Sequence, residues 1–162
     1  MEFYSLIALF KIIEMKILMV CLGNICRSPL AHGILKQKAA NSRLNWIVES
    51  AGTGDWHVGQ APDRRAIAIA KKYGVDISGQ RARHFDPKFF NEYDLIFVMD
   101  RQNYADVCAQ AINEGDLNKV KLFLGDDVVP DPYFDDNLFD PVFQMIDQRC
   151  TEVITEGTNT LV

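Results

Sequence analysis

At 162 residues, with 48% hydrophobic and 24% charged side chains, the chain has the size and balance of one globular domain with a full core. Its net charge of −5 and isoelectric point of about 5.1 leave no basic stripe to replace phosphate counterions, which argues against a nucleic-acid binder but allows a locally positive pocket. The four cysteines (Cys21, Cys26, Cys108 and Cys150) match neither a small secreted disulfide framework nor paired C-x-x-C zinc spacing, so free thiols in a reducing cytoplasm are expected.

Residues 1–14 are apolar but too short to span a bilayer, and Glu2 stands where a secretory signal would be positive. Met15 heads the first strand, so it is expected to be the natural start and residues 1–14 an extension, which an intact mass would check. Met15–Cys21 reads as a buried strand, followed by a Gly-Asn loop. Ser28 is the expected N-cap and Pro29 the first position of a helix whose apolar residues keep a 3.6 period to about Asn41. Trp46–Gly52 is a short strand and Gly54–Gly59 a loop. Pro62 opens a second helix that Gly74 closes. Val75–Phe90 reads as polar and irregular. Tyr93–Asp100 is continuously apolar and so covered on both faces. A helix from Gln102 to Asn113, a strand from Val120 to Leu124 and an acidic loop from Gly125 to Asp136 follow. The last helix begins near Leu138 and stops at Gly157, leaving 158–162 as a short tail. There is no repeat, low-complexity tract or linker. Strands alternating with helices predict an α/β fold with a parallel sheet and helices on both faces.

In such a sheet, ligands bind beyond the carboxyl ends of the strands. Those ends carry Cys21, Ser50 and Asp100, and the fourth strand leads to Asp131-Pro132-Tyr133-Phe134. Cys21 lies between a strand and a helix N-terminus, where unpaired backbone N–H groups and the helix dipole attract anions and favour a thiolate. A cation at a helix start is badly placed unless an anion binds there, and the Arg27 guanidinium can grip two phosphate oxygens at once. Ser28 can cap the helix and also donate to Cys21. Gly23 and Asn24 suit a turn with positive φ. The prolines flanking Asp131 hold a carboxylic acid in one place, as a general acid requires. The acidic loop fails the calcium-loop pattern at Tyr133 and Asp136. His32, His57 and His84 lack metal spacing and read as surface or structural. Neither a metal nor a cofactor is expected.

Cys21-Leu22-Gly23-Asn24-Ile25-Cys26-Arg27-Ser28-Pro29, paired with Asp131-Pro132-Tyr133, resembles the low-molecular-weight protein tyrosine phosphatases over roughly residues 15–157. Glu49-Ser50-Ala51-Gly52-Thr53 and Val98-Met99-Asp100 also look like segments of that family. The resemblance implies one three-layer domain with a four-stranded parallel sheet in the order 2-1-3-4. It implies a metal-independent two-step hydrolysis: Cys21 attacks phosphorus, the loop amides and Arg27 hold the oxygens, and Asp131 protonates the leaving phenol and later activates water. Leu22, Gly23, Ile25 and Cys26 belong to the phosphate loop. Asn24, Ser28 and Ser50 carry over as loop organisers, with Asp100 supporting the loop or Arg27. Trp56, Tyr133 and Phe134 are expected to wall a slot that suits a phenyl ring and leaves phosphoserine too short. The expected partners are tyrosine-phosphorylated proteins and phosphate-like oxyanions, without nucleic acid or a membrane span. Cys26 lies close enough on the curled loop to capture an oxidised Cys21 as a disulfide.

Ile25 resembles the tyrosine-phosphate members, whereas relatives that act on phosphoarginine have threonine there. An arsenate reductase on the same fold needs clustered redox cysteines, and Cys108 and Cys150 lie far apart in the chain. A non-catalytic phosphate-binding module would not need both Cys21 and Asp131. The chain departs from the family near Gln80, where many members carry a histidine.

Overall fold

The computed structural model describes residues 14–159. Residues 1–13 and 160–162 lie outside them, so the expected extension, except Glu14, and the end of the expected tail are not described. The strands are β1 (Met15–Cys21), β2 (Trp46–Gly52), β3 (Leu95–Val98) and β4 (Val120–Leu122). The helices are α1 (Arg27–Asn41), α2 (Arg64–Lys72), α3 (Phe89–Glu92), α4 (Arg101–Cys108), α5 (Glu114–Lys119) and α6 (Phe139–Asn159). All strand pairings are parallel, and the order is β2-β1-β3-β4, as expected.

The alternation of β1 builds both sides of the core, because successive side chains leave a strand on opposite faces. Ile17, Met19 and Cys21 join one apolar cluster, with Leu30, Ile34 and Leu35 of α1, Ala66 and Ala70 of α2, and Phe143, Ile146 and Cys150 of α6. Leu18 and Val20 join the other, with Phe85, Phe89, Phe90, Tyr93 and Val107. The sheet is therefore covered on both faces, which explains the unbroken apolar runs of its central strands.

Several boundaries differ from those expected. α1 starts at Arg27, with Cys26 at the N-cap position and no side-chain cap. Ser28 is already helical, and its hydroxyl is engaged by Asn24 and Cys21 rather than by the helix amides. Asp63 caps α2 by accepting from the Arg65 N–H. The Val75–Phe90 segment is irregular, but Ile77, Phe85, Phe89 and Phe90 are buried. The expected helix from Gln102 to Asn113 ends at Cys108, and a separate α5 follows, capped by Asn113. α6 runs through Gly157 to Asn159. A Cβ on Gly157 would stand 2.4 Å from the Trp46 ring, so this glycine seats an indole instead of ending the helix.

Candidate active site

β1 ends at Cys21, and the chain then curls through residues 22–26 into the first turn of α1. Asn24 sits in the left-handed region at φ 56°, where asparagine is better tolerated than most residues. Its side chain spans the curl: Nδ2 donates to Ser28 Oγ at 2.8 Å, and Oδ1 accepts the Arg83 backbone N–H at 3.0 Å. Ser28 Oγ lies 3.0 Å from Cys21 Sγ and reaches the Ala51 carbonyl at 3.4 Å. Gly52, at the end of β2, passes so near the loop that a Cβ would stand 2.7 Å from the Leu22 carbonyl oxygen and 3.1 Å from the Asn24 nitrogen. Only glycine fits that approach. With no side-chain cap on α1, the amides of its first turn are left for an anion.

Arg27 is 3% exposed, and its guanidinium is held from below. Nη1 donates to Asp100 Oδ2 at 2.7 Å and to the Val129 carbonyl at 3.0 Å, and Nη2 stands 3.6 Å from Asp131 Oδ2. Burial works against its charge. Cys21, the Asp100 hydrogen bond and Asp131 overcome it, so the guanidinium pKa rises. Asp131 also accepts the Tyr133 N–H at Oδ1, 3.1 Å away, in an Asx turn that turns Tyr133 back over the site.

Cys21, Leu22, Gly23, Ile25, Cys26, Arg27 and Asp131 line one cavity of about 250 Å³, with Trp56, His57, Tyr133 and Phe134 at its walls. The expected residues thus divide into two groups. Those lining the cavity face whatever binds there, while Asn24, Ser28 and Ser50 are buried behind the loop and Asp100 supports Arg27 from beneath. The three expected aromatics all reach the cavity, but Trp56 and Phe134 are 65% and 90% exposed, so the slot has an open rim. Among the described residues, no three His, Cys, Asp or Glu side chains gather as a metal-binding group.

A cysteine and an arginine joined by a tight loop, with a carboxylate brought over them from far along the chain, is an arrangement for phosphoryl transfer. The family model for low molecular weight phosphotyrosine protein phosphatases matches residues 16–160. The chain belongs to this family. A Staphylococcus epidermidis protein named low molecular weight protein-tyrosine-phosphatase PtpA is 36% identical over 141 residues, covering 83% of this chain and 88% of the relative. The solved structure of a protein tyrosine phosphatase from Entamoeba histolytica with Hepes in its active site superposes with a TM-score of 0.85 at 30% identity, covering 91% of this chain and 99% of that one. Wzb of Vibrio vulnificus, solved in complex with benzylphosphonate, gives 0.79 at 30% identity, with 88% and 98% covered. Members of the low-molecular-weight phosphatase family are metal-independent hydrolases, and the arsenate reductase, phosphoarginine and non-catalytic alternatives are not favoured.

Three contributors around this phosphatase site were not expected. His57, read as surface or structural, lines the cavity, and its Nδ1 meets Gln60 Oε1 at 2.9 Å. Arg65 pins the Asp131 loop: it pairs with Asp63 and Asp136 and lies over the rings of Tyr133 and Phe139. Arg83 ties the Ser50 carbonyl to Glu49 and Tyr93. Adjacency to Trp56 was the one sequence hint for His57; the two arginines carried none.

Proposed function

We propose that the chain hydrolyses phosphotyrosine in proteins, with Cys21 as nucleophile, Arg27 and the loop amides as phosphate holders, and Asp131 as general acid and then base. The carrying observation is that Cys21, Arg27 and Asp131, from β1, α1 and the loop after β4, border one cavity, with the guanidinium 3.6 Å from the carboxylate. The Cys21 thiolate attacks phosphorus, an S–P bond forms, and the P–O bond to the phenol breaks. The electron pair leaves on the phenol oxygen, which takes a proton from Asp131. Water then attacks the phosphocysteine and gives a proton to Asp131, the S–P bond breaks, and phosphate and thiolate are released. Charge on the transferring group is met by Arg27 and the uncapped start of α1.

A phenyl ring suits the walls made by Leu22, Ile25, Trp56 and Tyr133. The benzylphosphonate in the Vibrio vulnificus relative supports an aromatic ring carrying a phosphorus oxyanion. The natural partner in this reading is a tyrosine-phosphorylated protein, with inorganic phosphate as product and inhibitor. We take residues 15–157 as the phosphatase domain. We place the enzyme in the cytoplasm because its four cysteines are free thiols. Among the described residues, no helix is long and apolar enough to cross a membrane. Peroxide is expected to oxidise Cys21 to a sulfenic acid, which Cys26 captures as a disulfide with loss of water. Burial, reinforced by Asp63 and Cys21, pushes the Cys26 thiol well up, so capture should be faster at alkaline pH.

The test is p-nitrophenyl phosphate turnover in the presence of a metal chelator. Wild type should turn over, Cys21→Ser should be inactive, and Asp131→Asn should be slow. Turnover that survives Cys21→Ser would overturn the assignment.

A further inference from the structure

His32 takes no part in the steps above and lies outside the cavity, yet it is tied to the back of the phosphate loop. It follows Ser28 by one helical turn on α1, so the two side chains leave the helix from the same face. Both reach β2. Ser28 Oγ donates to the Ala51 carbonyl at 3.4 Å, and His32 Nδ1 meets Ser50 Oγ at 3.0 Å. The first contact is long, so the second is the firmer clasp between the start of α1 and the end of β2. Ser50 is held from its other side by Arg83, whose Nε donates to the Ser50 carbonyl while its backbone N–H donates to Asn24 Oδ1. Gln80 closes the circuit: its Nε2 donates to the Pro29 carbonyl at 3.0 Å, while its buried Oε1 makes no hydrogen bond of ordinary length.

We propose that His32 is a positioning residue: its imidazole accepts a hydrogen bond from the Ser50 hydroxyl and fixes the first turn of α1 against β2, which sets how Ser28 Oγ and the first α1 amides face Cys21. The proposal rests on the phosphatase reading of the site. Burial first, then Lys36 on the next turn of α1 and Arg83 across the sheet end, hold the His32 ring down at about 4; Gln80 favours the charged form more weakly. Asp76 borders the same outer cavity of about 690 Å³, where it is tied to Ser78. At neutral pH the His32 ring is therefore uncharged, and the clasp proposed here uses the tautomer with its proton on Nε2, which leaves Nδ1 to accept from Ser50 Oγ.

The experiment compares His32→Phe, which keeps a ring and loses the acceptor, with His32→Asn, which restores an acceptor near the Nδ1 position. Ser50→Ala and the His32→Phe/Ser50→Ala double variant complete a cycle. Two readouts are taken: kcat and KM with p-nitrophenyl phosphate, and the pH profile of Cys21 alkylation by iodoacetate, mapped by mass to separate it from Cys26. His32→Phe and Ser50→Ala should each lower kcat about threefold to tenfold, the size of one hydrogen bond, with KM changed by less than about twofold. Their alkylation profiles should move toward alkaline pH, the double variant should be no worse than either single one, and His32→Asn should recover most of the loss. A wild-type alkylation profile in His32→Phe, additive losses in the cycle, or a loss that follows melting temperature and is not rescued by asparagine would overturn the proposal. If the wild-type chain fails to hydrolyse the ester, the phosphatase reading fails, while the alkylation profiles still judge the clasp.

Discussion

Replacing Asp100 separates two tasks that a single carboxylate performs. Oδ2 accepts from Arg27 Nη1 at 2.7 Å, and Oδ1 accepts the Asn103 N–H at 2.8 Å, which caps α4. Asn103 completes the capping box by accepting the Asp100 N–H at 3.2 Å. Asparagine has one carbonyl oxygen, so Asp100→Asn satisfies the cap or the arginine but not both, and alanine satisfies neither. Water cannot readily replace the lost partner, because the Arg27 side chain is 3% exposed. A hydrogen bond to a charged group contributes about 1.5–3 kcal/mol, taken here at its lower end because the Asp100 side chain is 28% exposed. The cap adds about 1 kcal/mol. Asp100→Asn should therefore cost about 1–2 kcal/mol of stability and Asp100→Ala about 2–3 kcal/mol. With Nη1 held only by the Val129 carbonyl, the guanidinium is less firmly fixed and is drawn toward Asp131, so inhibition by inorganic phosphate should weaken about tenfold in Asp100→Ala, equal to one lost contact of about 1.4 kcal/mol. Urea unfolding at neutral pH and the inhibition constant for phosphate report the two effects separately. An alanine variant within about 0.5 kcal/mol of wild type, with unchanged phosphate inhibition, would refute the reasoning.

Gly52→Ala should reduce kcat/KM at least about tenfold and cost about 1–3 kcal/mol of stability, because its Cβ would meet the backbone of the phosphate loop and not a movable side chain; steady-state kinetics and urea unfolding check both halves. Arg65→Ala should loosen the Asp131–Tyr133 segment and raise KM for p-nitrophenyl phosphate a few-fold, with Cys21 alkylation unchanged. Acid should destabilise the fold through His32. The unfolded chain binds its proton below about 6.5 and the folded one only below about 4, so stability is full above the first value and falls as pH drops between them. Urea midpoints across that range should fall by the equivalent of about 1–3 kcal/mol, with a smaller fall in His32→Asn.

The strands were legible as unbroken apolar runs, while their order came with the family resemblance. Cys21, Arg27 and Asp131, which the fold brings to one cavity, stood out in contiguous patterns: a tight loop before a helix, and an aspartate between prolines. What was hidden depends on partners far apart in sequence. His32 meets Ser50 across 18 positions and Arg65 meets Asp136 across 71, and no local period encodes either contact. Ser28 has the residue type of an N-cap, but two buried neighbours compete successfully for its hydroxyl. Phe85, Phe89 and Phe90 fill the second core from a segment whose charges dominated its reading. Gly157 looked like a helix stop because nothing in the sequence places Trp46 beneath it.

The central claim is that phosphate is carried by Cys21 and released with the help of Asp131. Rapid acid quench of Asp131→Asn reacting with p-nitrophenyl phosphate, followed by peptide mass mapping, tests it most directly. Phosphate should accumulate on the peptide bearing Cys21 and vanish in Cys21→Ser. Phosphate found on another residue, or full turnover by Cys21→Ser, would contradict the account.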